Sequence, residues 1–264
     1  MPRCASAGGT DSAGYAGLAA DLRTFAAFGC HGSMVVTSVT VQSTTEVRRV
    51  FPMPPALVAE QLETILEDPG VEALVVGLVP TVEIVEVLAG VLEAAEPRPQ
   101  LVVDPIVAAS TGAEMSGKEV SRALAGRLLP LARVATPNRR ELEALAGEAL
   151  PDEGACLAAA RRLLEAGTGA VLLTGGDREG DPEDLLVTAE GVERMRVVRA
   201  PGPGTRGGGC THAAALAALL ARGTPLPEAA RLAQRYLAAC ARAAVAPGAG
   251  EGRVVQVVPP WALK

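Results

Sequence analysis

The chain has 264 residues, with 24 Lys and Arg against 30 Asp and Glu for a formal net charge of −6, and it is 49% hydrophobic but only 2% aromatic. That length accommodates one large domain or two small ones and buries roughly 70–75% of its unfolded surface, so Ala, Leu and Val must fill the core. The acidic balance lacks the basic stripe of a general nucleic-acid binder, and no uncharged apolar run reaches the ~18 residues of a membrane helix.

Short β-rich runs alternate with longer helical ones. Helical patterns are predicted over 16–28, 55–67, 81–95, 118–128, 138–147 and 153–166. Between them, "SMVVTSVTV" (33–41), "EALVVGLV" (72–79), "QLVVDPIV" (100–107), "ARVATP" (132–137) and "GAVLLTGG" (169–176) read as strands. These runs are almost continuously apolar, as strands covered on both faces should be, and strand–helix alternation implies a parallel α/β sheet. "EDLLVTAEGVERMRVVRA" (183–200) differs: two strand-like runs meet at Glu190-Gly191, which predicts an antiparallel hairpin at a sheet edge. Two helices follow, over 209–222 and 226–243. With no internal repeat and no low-complexity linker, residues 1–264 are expected to form a single domain.

Five cysteines (Cys4, Cys30, Cys156, Cys210, Cys240) are an odd number without close pairs. They imply neither a disulfide framework nor a zinc knuckle, which fits a reducing compartment. The opening "MPRCASAGGTDSAG" has no apolar signal-peptide region, so a cytoplasmic location is expected. His31 and His212 cannot supply a three-histidine metal site and read as structural, although His212 lies close to a glycine-rich loop.

Ligands of open α/β sheets bind at the carboxyl ends of strands. Asp104 in "VVDP", Thr136 to Asn138 in "ATPN" and Thr174 to Gly176 in "LTGG" all fall at such ends. One of them alone would read as a turn former or helix cap; three on one edge read as a site. "PGPGTRGGGCTHAAALAALLARG" (201–223) then runs a glycine-dense loop into an apolar helix. Its Gly202, Gly204 and Gly207 match G-x-G-x-x-G, but with Pro203 inside and late in the chain, unlike a dinucleotide fingerprint. The underlying physics is more general: glycines admit an anion to the backbone, and the helix start offers unpaired N–H groups and a positive dipole end. A surface turn is the competing reading. "GAEMSGK" (112–118) is a chance P-loop match, since Glu119 stands where a magnesium-binding hydroxyl belongs. Cys210, at the helix start, is expected to have a lowered thiol pKa and to serve as a base or nucleophile, against the reading of free cysteine as a small buried hydrophobe.

Across nearly its whole length the sequence resembles the hydroxymethylpyrimidine/phosphomethylpyrimidine kinases of thiamine synthesis, in the ribokinase-like superfamily. "GGTDSAGYAGLAADLRTFAAFGCHG" (8–32), "VTSVTVQST" (36–44), "VVDPIVAASTG" (102–112), "ATPNRRELEAL" (135–145) and "TRGGGCTHAAALAALLARG" (205–223) carry the resemblance, in the family's order. It implies a ribokinase-like fold: a mainly parallel central sheet, helices on both faces and an antiparallel edge hairpin. The implied activity is ATP-dependent phosphorylation of 4-amino-5-hydroxymethyl-2-methylpyrimidine, its monophosphate, or both. A pyridoxal-type kinase is the enzymatic alternative, and a non-catalytic pyrimidine-binding paralogue is the rival from another class. ATP and Mg2+ are the implied cofactors and a homodimer the implied assembly, with no nucleic-acid or membrane partner.

Carried over residue by residue, the resemblance implies a pyrimidine pocket of Gly9, Asp21 and Gln42 with Val107 as an apolar wall. Gly207, Gly209 and Cys210 would form the anion hole for the transferring phosphoryl group, with Cys210 as base. Asp104 and Glu141 would help hold magnesium, and Asn138, Thr174, Gly176 and Arg206 would face the nucleotide. The chain departs from the family at four places. Ala13 and Tyr15 replace a small polar residue and a glycine, Ser110 and Thr174 stand where lysines are usual, and Arg206 replaces a histidine. Arg206 is expected to assume part of the lost phosphate binding, because a guanidinium holds phosphate oxygens bidentately.

Overall fold

The structure is a computed structural model that describes residues 1–107, 115–176, 180–202, 205–246, 248–250 and 253–255. Ser110 therefore lies outside the described residues. In chain order the elements are β1 (Arg3–Asp11), α1 (Gly17–Ala27), β2 (His31–Gln42), β3 (Val47–Pro52), α2 (Pro55–Glu67), β4 (Ala73–Val76), α3 (Val82–Ala94), β5 (Gln100–Val103) and α4 (Lys118–Ala123). After α4 a π-helical turn (Leu124–Leu128) and a short 3₁₀ turn (Leu129–Leu131) lead to β6 (Val134–Ala135), α5 (Arg139–Ala146), α6 (Glu153–Glu165) and β7 (Val171–Leu173). The chain continues through β8 (Glu183–Thr188), β9 (Gly191–Arg196), β10 (Thr205–Arg206), α7 (Gly208–Ala221), α8 (Leu226–Arg242) and β11 (Arg253–Val254).

Nine strands form one sheet in the order β3-β2-β1-β4-β5-β6-β7-β8-β9. Strands β2, β1, β4, β5, β6 and β7 run parallel. The predicted hairpin at 183–200 is present: β8 pairs antiparallel with β7 and β9 with β8. The opposite edge is also antiparallel, because β3 returns along β2.

Helices cover both faces, and the strand residues show why. Leu74 and Val76 point into a cluster with Leu62 of α2, Leu88 of α3 and Leu142 of α5. Their neighbours Ala73 and Val75 point the other way, onto Phe25 of α1, Leu216 of α7 and Tyr236 of α8. Period-two alternation inside a continuous apolar run is what a doubly covered strand requires. α7 is buried on almost every side, from Thr211 to Leu220, so its Ala-rich composition is a packing requirement: small side chains let it lie flat on the sheet between α1 and α8.

Three strands of the main sheet differ from expectation. β1 carries no β-branched residue before Thr10 and was not predicted, yet Cys4, Ala5, Ser6 and Ala7 are fully buried between β2 and β4. β3 is an exposed edge strand and was likewise not predicted. The run 132–137 shortens to a two-residue β6.

Candidate active site

The carboxyl ends of β1, β5, β6 and β7 open onto a cleft of about 1730 Å³. Gly9, Gln42, Asp104, Val107, Asn138, Glu141, Thr174, Gly176, Arg206, Gly207, Gly209 and Cys210 all line it. Asp21 sits beneath the lining, 3% exposed. Its Oδ2 accepts from Ser6 Oγ at 2.6 Å, and its Oδ1 has no hydrogen-bond partner among the described residues.

Two chain turns meet at one end of this cleft. Asp11, at the end of β1, accepts the backbone N–H groups of Ala13, Tyr15 and Ala16 at 2.8–2.9 Å, which folds residues 11–16 into a tight turn. Gly17 then starts α1 at φ +54, so close to β1 that a β-carbon would stand 2.3 Å from the Gly9 carbonyl oxygen. On the other side Gly207, left-handed at φ +76, caps α7 and leaves the amides of Gly208, Gly209 and Cys210 at the helix start, where N–H groups lack intrahelical partners. The two turns touch: a β-carbon at Gly207 would lie 2.1 Å from the Tyr15 carbonyl oxygen. Only glycine meets both demands, close approach and positive φ.

Three acidic groups crowd this point. Burial raises Asp21 to about 8, with the nearby Asp104 adding to the effect. Asp104, 5% exposed at the end of β5, is raised by burial to about 6. One of its oxygens accepts from Thr136 Oγ1 at 3.1 Å, and the other would lie 3.7 Å from a β-carbon on Gly209. The lowered thiol pKa expected for Cys210 is overturned here. Burial, then Asp21 and Asp104, push the thiol well above its ordinary value, outweighing the Gly17 and Cys210 backbone N–H groups. The helix-start effect is real but smaller than burial beside two carboxylates. The remaining cysteines (Cys4, Cys30, Cys156 and Cys240) are buried packing residues.

Across the cleft, Asn138 and Glu141 form a reciprocal cap at the start of α5: Asn138 Oδ1 accepts from the Glu141 N–H at 3.0 Å, and Glu141 Oε2 from the Asn138 N–H at 2.8 Å. Thr174 bonds through its N–H to the Pro137 carbonyl at 2.9 Å. Arg206 is 7% exposed, and its Nη1 donates to the Ser43 carbonyl at 2.9 Å, linking the anion loop to the turn after Gln42.

Two cleft residues went unrecognised in the sequence. Arg199 donates from Nη1 to the Gly176 carbonyl at 3.1 Å, and Asp184 accepts the Gly175 N–H at 2.9 Å. Both sit in the edge-hairpin segment, which reads as structure only; the buried Asp184 next to "LLV" was the available signal. No group of three or more His, Cys, Asp or Glu converges as a metal centre among the described residues. The donors nonetheless fit magnesium, which is usually held by one or two carboxylates together with phosphates and waters.

The family model described as phosphomethylpyrimidine kinase matches residues 11–255. The chain is 39% identical over 251 residues to the thiamine biosynthesis bifunctional protein ThiED of Geobacter sulfurreducens; the match covers 95% of this chain but 51% of that longer protein. It is 38% identical over 255 residues to the hydroxymethylpyrimidine/phosphomethylpyrimidine kinase of Synechococcus elongatus, covering 96% of each. Among solved structures, an ADP complex of Bacillus subtilis pyridoxal kinase superposes with a TM-score of 0.86 at 30% identity, over 94% of each chain. The phosphomethylpyrimidine kinase of Clostridium difficile superposes with a TM-score of 0.79 at 30% identity, over 90% of this chain and 98% of that one.

Proposed function

Because the chain belongs to the phosphomethylpyrimidine kinase family, we propose that it transfers the γ-phosphoryl group of ATP to 4-amino-5-hydroxymethyl-2-methylpyrimidine, to its monophosphate, or to both. The observation that carries this reading is the gathering of residues from four strand ends and the α7 loop around one cleft. Gly9, Gln42 and Val107 hold the pyrimidine ring, and the protonated Asp21 supports that wall from below. The amides of Gly207, Gly209 and Cys210 stabilise charge growing on the transferring phosphoryl oxygens, usually the largest single contribution to catalysis. Asn138, Thr174, Gly176 and Arg206 border the nucleotide.

Phosphoryl transfer demands positioning and charge stabilisation more than covalent chemistry. Cys210 faces the attacking hydroxymethyl oxygen and accepts its proton through a thiolate fraction that is small in the free protein. Asp104 and the buried Glu141 would help hold Mg2+, which bound with ATP would supply neutralising charge on the phosphates. The whole chain acts as one kinase domain, in the cytoplasm.

Pyridoxal is the competing substrate, because the superposition on a pyridoxal kinase is at least as close as that on a phosphomethylpyrimidine kinase. Comparing kcat/KM for the hydroxymethylpyrimidine and for pyridoxal in an ADP-release assay separates them. A clear preference for the pyrimidine supports the reading, and a preference for pyridoxal replaces it.

A second copy of the chain is the proposed partner. The β2–β3 edge exposes Met34, Val39, Val41 and Phe51, with Val39 and Phe51 paired across the strands. Exposed apolar side chains on a sheet edge suit an interaction surface. Phe51→Glu should shift the sedimenting species from dimer to monomer, and a wild type that sediments as a monomer removes the assembly.

A further inference from the structure

We propose that Asp184 is a positioning residue for the nucleotide side of the cleft, holding the Thr174–Gly176 turn against β8 and facing His212 on α7. This rests on the kinase reading above and extends it to a residue pair on the far side of the anion loop.

Asp184 is the second residue of β8 and is 4% exposed, as His212 is 2% exposed two residues after Cys210. Both line the cleft with Thr174 and Gly176. One carboxylate oxygen, Oδ1, accepts the Gly175 N–H at 2.9 Å. The other, Oδ2, lies 3.9 Å from His212 Nε2, which has no hydrogen-bond partner among the described residues.

The turn is pinned from both sides. Thr174 bonds through its N–H to Pro137 and pairs with Asn138 in a parallel bridge. Gly175 is pressed onto β8, where a β-carbon would stand 2.1 Å from the Glu183 carbonyl oxygen. Asp184 thus lies between the turn after β7, which it holds through Gly175, and His212 in the opening turns of α7.

A buried imidazole nitrogen without a partner is costly, and 3.9 Å is too long for a hydrogen bond. Site hydrogen bonds are often long in the free protein and tighten in the complex. Burial keeps the ring below its usual pKa, so it meets the carboxylate as a neutral N–H donor. Nucleotide phosphates drawing the α7 start and the Thr174–Gly176 turn together close this gap.

The test uses the full chain with ADP and, separately, the hydroxymethylpyrimidine. Asp184→Ala should weaken ADP binding roughly tenfold or more, on the scale of a lost charge-assisted hydrogen bond, while moving pyrimidine affinity by less than about threefold. Asp184→Asn keeps an acceptor for Gly175 and should recover most of the loss. Where Asp184→Ala fails to fold, the response of the His212 ring signal to ADP in the wild type decides the matter. With only two histidines in the chain, nitrogen-15 spectra of wild type and His31→Gln identify the His212 ring, whose Nε2–H signal should move to a hydrogen-bonded position on adding ADP. ADP affinity in Asp184→Ala equal to that of the wild type, equal losses for both ligands, or an unmoved His212 signal overturns the proposal and leaves the kinase reading standing. A wild type that binds no ADP overturns both.

Discussion

Gly207 packs so tightly on Tyr15 that a β-carbon on the glycine would lie 2.1 Å from the tyrosine's carbonyl oxygen. The contact locks the anion loop to the turn that precedes α1. Gly207→Ala combines that clash with a positive φ, each costing of order 1–3 kcal/mol, so it should destabilise the fold by roughly 3 kcal/mol and lower the melting temperature by several degrees. Gly209→Ala adds a β-carbon at an ordinary 3.7 Å from Asp104 Oδ2. It should fold normally and lose turnover, because the methyl group fills space beside the phosphoryl position. Calorimetry and rate measurements on the two variants should therefore separate: stability falls in the first, activity alone in the second. An unaltered melting temperature for Gly207→Ala would contradict the packing argument.

The Asp21 carboxyl makes stability depend on pH. Burial raises it to about 8, whereas an unfolded aspartate titrates near ~3.9. The folded protein holds a proton that the unfolded chain releases, so this contribution is complete below about pH 4 and is lost as pH rises through about 8. Asp21→Asn cannot ionise in either state. Between pH 5 and 8 its melting temperature should fall less than that of the wild type, whereas parallel curves would show that Asp21 is already ionised in the fold.

For Cys210 the sign is opposite to the one that its place at a helix start implies. With the thiol raised, the thiolate fraction grows with pH, so kcat should climb from pH 7 to 9. Cys210→Asp supplies a carboxylate instead and should flatten that profile while retaining part of the rate. Cys210→Ala should lose about 10²–10⁴-fold with ligand affinity largely kept. Full turnover in the alanine variant would leave the loop amides as the whole of the catalytic apparatus.

What the sequence disclosed and what it hid divide along physical lines. Helix α2 runs over Pro55–Glu67, where periodicity places it, because Pro at its start and an amphipathic stripe are local signals. β1 was hidden because its small residues answer to α1 and α7 packing against it, a tertiary demand that no local propensity reports. The site was legible where motifs cluster at strand ends, as at Asp104, Asn138 and Gly207. Asp184 and Arg199 were not, because their partners are backbone groups of Gly175 and Gly176, and nothing in "EDLLVT" or "VVRA" records which loop they meet. The Cys210 thiol was misjudged because its dominant neighbours, Asp21 and Asp104, arrive from distant stretches of chain.

Phosphoryl transfer to the pyrimidine is the activity on which every role above depends. Phosphorus-31 NMR of the purified protein with MgATP and, in turn, 4-amino-5-hydroxymethyl-2-methylpyrimidine and its monophosphate measures it directly. A new phosphomonoester resonance from the alcohol, or new diphosphate resonances from the monophosphate, should grow in step with ADP, weakened in Gly209→Ala and dependent on the pyrimidine. ATP that stays intact with both pyrimidines, or ADP that appears with inorganic phosphate and no new pyrimidine phosphate, would contradict phosphoryl transfer.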